Sequence, residues 1–524
     1  MAKNNLLVVL FAFISLSSLL LASQTLAKND INWWCNRTTN PGPCKRLMSH
    51  LEPSDKAEFQ KMTIQIALDH AVLARNHTKE LEHKCQNERE KGALADCLTL
   101  LDSAIFELKK TLNPNQKGYT ENDKQTWLST SLTNLETCKP PFKLPYLSNN
   151  VVSNLISNSL AVHHSVVPNP NSNPNPNTQP YKQGFPTWVT RRDRKLLQGS
   201  RLATAANLVV AQDGSGNFKT IREALDDVAA KRTGNGRFVI HVRRGVYEEY
   251  LVIGTDLKNI MLVGDGMQST IITGNRSYGG GFTTINSATV AVTGEGFIAR
   301  GITFRNTAGP ENLQAVALLV GSDHSVFYQC GFEGYQDTLY ALSQRQFYRE
   351  CDIYGTVDII FGNAAAIFQK CNIIVRKPLT TEKNTVTAQG RTDHNQNTGI
   401  VIQNSRIIPS SDLKPFISSI QSFLGRPWKR YSRTVVMGSY LDSLISPQGW
   451  LEWDATSFAL NTLYYAEYKN YGPGSLTNGR VKWGGYKIIT NVSRVSQFSV
   501  ASFIGGQSWL PTADVPFTVG VIFD

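Results

Sequence analysis

The sequence predicts a mostly β protein: a parallel β-helix, preceded by a smaller all-α helical domain. Three observations carry this. From about residue 206 onward, short Val/Ile/Thr/Phe runs alternate with Gly and Asn, as in RFVIHV, NIMLVGDG, TIITGN, ATVAVTG and GITFRN. A repeat of about 20 residues runs through part of that region. Ahead of it, apolar residues recur at three- and four-residue steps instead.

The N-terminus has a positive residue, Lys3, then an apolar run from Leu6 to Ala22, then Thr25-Leu26-Ala27 as a small-residue cleavage site. This order reads as a secretory signal over residues 1–27. An uncleaved membrane anchor is the alternative reading of the same run. No later stretch is apolar enough to cross a bilayer, so no stable span is expected after signal removal. Four N-x-[S/T] sequons, at Asn36, Asn76, Asn275 and Asn491, are candidate glycosylation sites on that route.

Residues 28–162 read as helical. Phe59, Met62, Ile66 and Leu73 form one stripe; Leu98, Leu101, Ile105, Leu108 and Leu112 a second; Leu128, Leu132 and Leu135 a third. No paired carboxylates or histidines lie on these faces at ligand spacing, so a bundle without chemistry is the reading. Residues 163–204 are a linker: PNPNSNPNPNTQP is too rich in Pro and Asn to pack a core. The linker ends in Arg191-Arg192-Asp193-Arg194-Lys195, a candidate site for a processing protease.

Residues 205–524 form the strand-rich domain. Short strands in series fit a sandwich, a barrel or a solenoid, and the repeat decides among them. Cys330, Phe332, Gly334, Asp337 and Leu339 set the pattern C-x-F-x-G-x-x-D-x-L, and Cys351, Ile353, Gly355, Asp358 and Ile360 repeat it. Cys371 and Ile373 begin a third copy that then diverges, and Phe327, Tyr348 and Phe368 stand three places before the cysteines. One repeat is one coil of a solenoid. Equivalent residues on successive coils then stack about 5 Å apart. Cys330 and Cys351 are expected near enough to bond, and Asp337 and Asp358 are expected as neighbours.

Two adjacent carboxylates disfavour double ionisation, so one is expected to keep its proton. That gives an acid beside a base or nucleophile, although both aspartates also suit plain turns. Gln336 in YQDTLY and Gln314 in QAVAL can donate to an oxyanion. Arg426 and Trp428 in LGRPW offer a fork for a carboxylate and a face for a sugar ring. No CxxC pair or His cluster suggests a metal.

Taken together, VVAQDGSGNFKTI, QAVAL, YQDTLY, GTVDIIFGNAA, LGRPW and the closing GWLEW…FIGGQSWLP resemble the signatures of plant pectin methylesterases. WLSTSLTNLETC and the N-terminal cysteines resemble the pectin methylesterase inhibitor family. The resemblance implies a right-handed parallel β-helix behind a four-helix bundle, no cofactor, and pectin as the substrate. It implies Asp358 as nucleophile and Asp337 as acid, then base. Gln336 and Gln314 would stabilise the oxyanion, Arg426 would orient Asp358, and Thr284, Gln314, Arg426 and Trp428 would contact substrate. It implies the disulfides Cys35–Cys44 and Cys97–Cys138, leaving Cys85 and Cys371 without a role. Ile285 and Ile359 stand where the family usually has Phe, a change of packing or subsite fit.

Lys and Arg total 53 against 41 Asp and Glu, a formal charge of +12. A basic surface fits a polyanion. That polyanion is a nucleic acid, an anionic membrane or an acidic polysaccharide, and charge does not choose among them. Export disfavours nucleic acid, and the resemblance implies the acidic polysaccharide, release into the plant cell wall or apoplast, inhibitor proteins as further partners, and a monomer as the expected state. A lyase or galacturonase on the same scaffold, and a non-catalytic inhibitor, are the competing readings.

Overall fold

The computed structural model describes residues 30–113, 119–138, 150–164, 181–182, 185–186 and 206–521. The signal segment and the basic run at 191–195 lie outside them. The chain divides into two compact units, residues 1–84 with 97–168 and residues 85–96 with 169–524.

In the helical unit the longer helices are Lys56–Glu80, Glu88–Leu112, Glu121–Thr137 and Val151–His164, behind short helices at Ile31–Cys35 and Pro41–Met48. Local chemistry sets their ends. The Asp55 carboxylate accepts from the Glu58 N–H, and Thr120 and Asp123 form a reciprocal capping box. Disulfides Cys35–Cys44 and Cys97–Cys138 close the unit. Leu101, Ile105, Leu108, Leu128, Leu132 and Leu135 are buried as the periodicity predicts. The first stripe is different: Leu73 is 50% exposed, and the buried face of its helix runs through Phe59, Ile64, Ala67, Leu68, Ala71 and Ala74. Alanines let the neighbouring helix approach closely, so the face is defined by small residues that a search for large apolar ones passes over.

The second unit is a parallel β-helix. Its strands form sheets of eleven, eight and six, and every neighbouring pair within them is parallel. Each full coil contributes one strand to each sheet in turn; Ser325–Tyr328, Gly331–Glu333 and Leu339–Ala341 make one coil, and Arg345–Arg349, Asp352–Gly355 and Ile360–Gly362 the next. Val, Ile, Leu and Phe from all three sheets fill the interior. In-register stacking puts like on like. Phe327, Tyr348 and Phe368 form a column, with ring centroids 4.8 and 4.4 Å apart and planes nearly parallel.

The same register prevents the bond expected between Cys330 and Cys351. Both, with Cys371, are buried thiols rather than a disulfide. On adjacent parallel strands equivalent Cα–Cβ vectors run side by side about 4.8 Å apart, whereas a disulfide needs Cβ atoms to converge to about 3.8 Å. The thiols instead donate to backbone carbonyls: Cys330 to Tyr328, Cys351 to Phe327 and Arg349, Cys371 to Tyr348. Burial, then the neighbouring cysteines, pushes the Cys351 thiol well above its ordinary value, away from the reactive thiolate.

Candidate active site

The turns that enter the six-stranded sheet carry polar groups on successive coils. Gln314 precedes strand Leu318–Val320, Gln336-Asp337 precede Leu339–Ala341, Asp358 precedes Ile360–Gly362, and Thr385 precedes Thr387–Gln389. Leu339 pairs with Ile360 and Ile360 with Thr387, so Asp337, Asp358 and Thr385 hold equivalent places on three consecutive coils. Asp337 and Asp358 both adopt the left-handed conformation, with φ of 63° and 52°. Aspartate tolerates that region better than most residues, at a cost of about 1 kcal/mol. The 21-residue repeat therefore delivers two like carboxyls to one place, as the sequence predicts.

Their surroundings differ. Both are buried, at 7% and 5% exposure. Arg426 reaches Asp358 with a fork: Nε donates to Oδ1 at 2.8 Å and Nη2 to Oδ2 at 2.8 Å. The Arg426 backbone is itself fixed, its N–H donating to the Thr387 carbonyl at 2.9 Å. Burial opposes the guanidinium's charge, but the pairing with Asp358 and the field of Asp337 outweigh it and hold Arg426 above its ordinary value. For Asp337 the balance is reversed. Burial, then the negative charge of Asp358, raises its carboxyl well above the usual range, and Arg426 only partly opposes this. One site thus holds a carboxyl that keeps its proton beside a carboxylate clamped by a cation.

The remaining predicted residues fall around this pair. Trp428 packs edge-on to Phe361 and Tyr340, at 6.0 and 6.5 Å between centroids. A methyl group at Gly390 would lie 2.7 Å from the indole, so a side chain there would displace Trp428. Gln314 and Gln336 are half-buried on successive coils, and the Ala315 N–H donates to the Gln336 carbonyl. The Gln314 Oε1 is buried and without a hydrogen-bond partner. Thr284 lies in the turn before Val290–Val292, one coil before Gln314, and its carbonyl accepts from the Ser287 hydroxyl at 2.7 Å. Ile359 points into the core at 0% exposure, so its departure from Phe affects packing, while Ile285 is half-buried.

Three residues escaped the sequence reasoning. Trp453 lies under Arg426, the guanidinium carbon 4.4 Å from its ring centroid. Its signal was present in GWLEW. Tyr335, next to Gln336, stacks on Arg376 at 3.9 Å. Thr385 donates from Oγ1 to Asp358 Oδ1 at 2.7 Å. Away from the site, Glu295, Asp323 and His324 approach metal-ligand spacing. There Asp323 is already held by the Arg345 fork, with Nε at 3.0 Å and Nη2 at 2.6 Å, which leaves a poor cation site.

A parallel β-helix carrying a proton-holding carboxyl beside an arginine-clamped carboxylate defines a carboxyl-dyad hydrolase of the solenoid class. The Pectinesterase family model matches residues 207–507, and the model described as plant invertase/pectin methylesterase inhibitor matches residues 29–162. Pectinesterase 2 of Citrus sinensis is 54% identical, over 99% of this chain and 100% of its own length. Probable pectinesterase/pectinesterase inhibitor 17 of Arabidopsis thaliana is 53% identical over 96% of this chain and 97% of its own. Among solved structures, pectin methylesterase from carrot aligns with a TM-score of 0.59 at 55% identity, covering 60% of this chain and 98% of its own. The chain belongs to the pectinesterase family.

Proposed function

We propose that this protein hydrolyses the C6 methyl esters of homogalacturonan, giving pectate and methanol, through an acyl-enzyme on Asp358. The observation that carries the reading is the asymmetry of the dyad: Arg426 forks onto Asp358, while burial and the Asp358 charge keep the proton on Asp337.

The chemistry follows from that asymmetry. An Asp358 oxygen attacks the ester carbonyl carbon, and the carbonyl pair moves onto oxygen. The Gln336 and Gln314 amides donate to this oxyanion. Collapse breaks the bond to methoxide, which takes the Asp337 proton and leaves as methanol. The intermediate is an anhydride between Asp358 and the galacturonate. Asp337, now a carboxylate, takes a proton from water as that water attacks the sugar carbonyl. Galacturonate is released, Asp358 regains its carboxylate and Asp337 its proton. Trp428 and Thr284 contact the sugar chain.

The wider reading assigns residues 1–27 to export, 28–162 to an inhibitor-like pro-domain, 163–204 to a linker cut at its basic run, and 205–524 to the catalytic domain. The product acts in the cell wall as a glycosylated monomer, and inhibitor proteins are further partners. The exposure of Asn36, Asn76, Asn275 and Asn491 supports glycosylation.

The test is methanol release from methylated pectin by protein secreted from the full chain, beside Asp358→Ala. The expected result is release by the wild type without chain cleavage, and none by the variant. Depolymerisation without methanol would favour a lyase or galacturonase instead.

A further inference from the structure

Thr385 stands where the third coil would carry a third aspartate. It is fully buried and belongs to the short strand Asn384–Thr385, paired with Ser422–Phe423 just before Arg426. Its one hydroxyl makes two contacts with the same residue. The Asp358 backbone N–H donates to Thr385 Oγ1 at 2.8 Å, and Oγ1 donates to Asp358 Oδ1 at 2.7 Å. The equivalent N–H of Asp337 goes to an ordinary backbone acceptor, the Val357 carbonyl, at 3.0 Å.

The direction of these bonds is fixed by counting protons. A backbone N–H can only donate, so Oγ1 must accept from it. The hydroxyl's single hydrogen is then available to the carboxylate, which as an anion can only accept. The threonine therefore pins the Asp358 χ1, tying main chain and side chain together in a left-handed turn. With Arg426 Nε also on Oδ1, that oxygen receives two donors and Oδ2 one. Oδ2 keeps the more available lone pairs.

We infer that Thr385 is a positioning residue for the nucleophile, holding Asp358 in its attacking rotamer, with Oδ2 as the attacking oxygen. The inference rests on the assignment of Asp358 as nucleophile. Hydrogen bonds to charged groups of this kind are worth about 10- to 100-fold in an equilibrium or rate.

The experiment compares Thr385→Val and Thr385→Ser with wild type, each secreted from the full chain, by methanol release across pH. Valine keeps the shape and removes the hydroxyl. The expected result for Thr385→Val is a fall in kcat of about 10- to 100-fold with KM nearly unchanged. Thr385→Ser should restore most of the lost kcat. Melting curves for all three separate a positioning loss from unfolding, and the serine variant keeps the test open if valine does not fold. A folded Thr385→Val with wild-type kcat would overturn the inference, as would a serine variant that folds yet fails to rescue. Asp358→Ala in the same series tests the assignment beneath it: an active Asp358→Ala would remove the nucleophile reading itself, whatever Thr385 does.

Discussion

Two neighbouring coils present the same residue at the same place with opposite chemistry. Asp337 and Asp358 share register, left-handed backbone and burial. They differ in what reaches them. Asp358 has the Arg426 fork and the Thr385 hydroxyl; Asp337 has burial and the facing negative charge, which drive it towards the neutral acid. The repeat supplies proximity, and residues outside the repeat supply the difference. A solenoid can therefore set two like carboxyls in unlike surroundings when residues outside the repeat reach only one of two equivalent coils.

The harshest way to break the comparison is Asp358→Asn. On the proposed mechanism Asp358 is the nucleophile, and its loss should lower methanol release by about 10⁴-fold or more. It should also lower the Asp337 titration, because the Asp358 charge, which adds to burial in raising it, is gone; an unmoved Asp337 would contradict the electrostatic account. Asp337→Asn removes the acid and is expected to cost about 10²- to 10⁴-fold in kcat, and to abolish the basic limb of the pH–rate profile. Its stability has a definite sign. The folded state holds the Asp337 proton more tightly than the unfolded chain does. That contribution is complete below the unfolded value of about 3.9 and is lost as pH rises through the folded value. Asparagine has no proton to lose, so the variant should gain in Tm relative to wild type as pH rises from about 4. A difference that stays flat with pH would count against the raised pKa. The mildest change is Arg426→Lys, which keeps the charge but not the fork. We expect about a 10-fold fall in kcat or more; wild-type activity would show that charge alone suffices.

How much of this was legible in the sequence depends on whether the repeat carries it. The 21-residue spacing of Asp337 and Asp358, and the aromatic column of Phe327, Tyr348 and Phe368, follow from the period alone. Arg426 lies 68 residues from Asp358 and no periodicity links them; its residue type offered a fork for some carboxylate, and only the resemblance tied it to Asp358. Thr385 was hidden because its coil is longer: it follows Asp358 by 27 residues, and the pattern breaks before reaching it. The thiols show the opposite error. The period placed Cys330 beside Cys351 correctly, but parallel stacking aligns side chains without turning them towards each other. In the helical unit, the buried face of Lys56–Glu80 rests largely on Ala67, Ala71 and Ala74, which a search for large apolar residues does not weigh.

The most direct test of the central claim is an infrared pH titration of the folded enzyme, wild type against Asp337→Asn, read in the carboxylic acid stretch. The account predicts a carboxylic acid band that persists in the wild type to a pH well above the ordinary carboxylate range and is missing from Asp337→Asn. Identical spectra, with every carboxyl of the wild type ionised within that ordinary range, would contradict it.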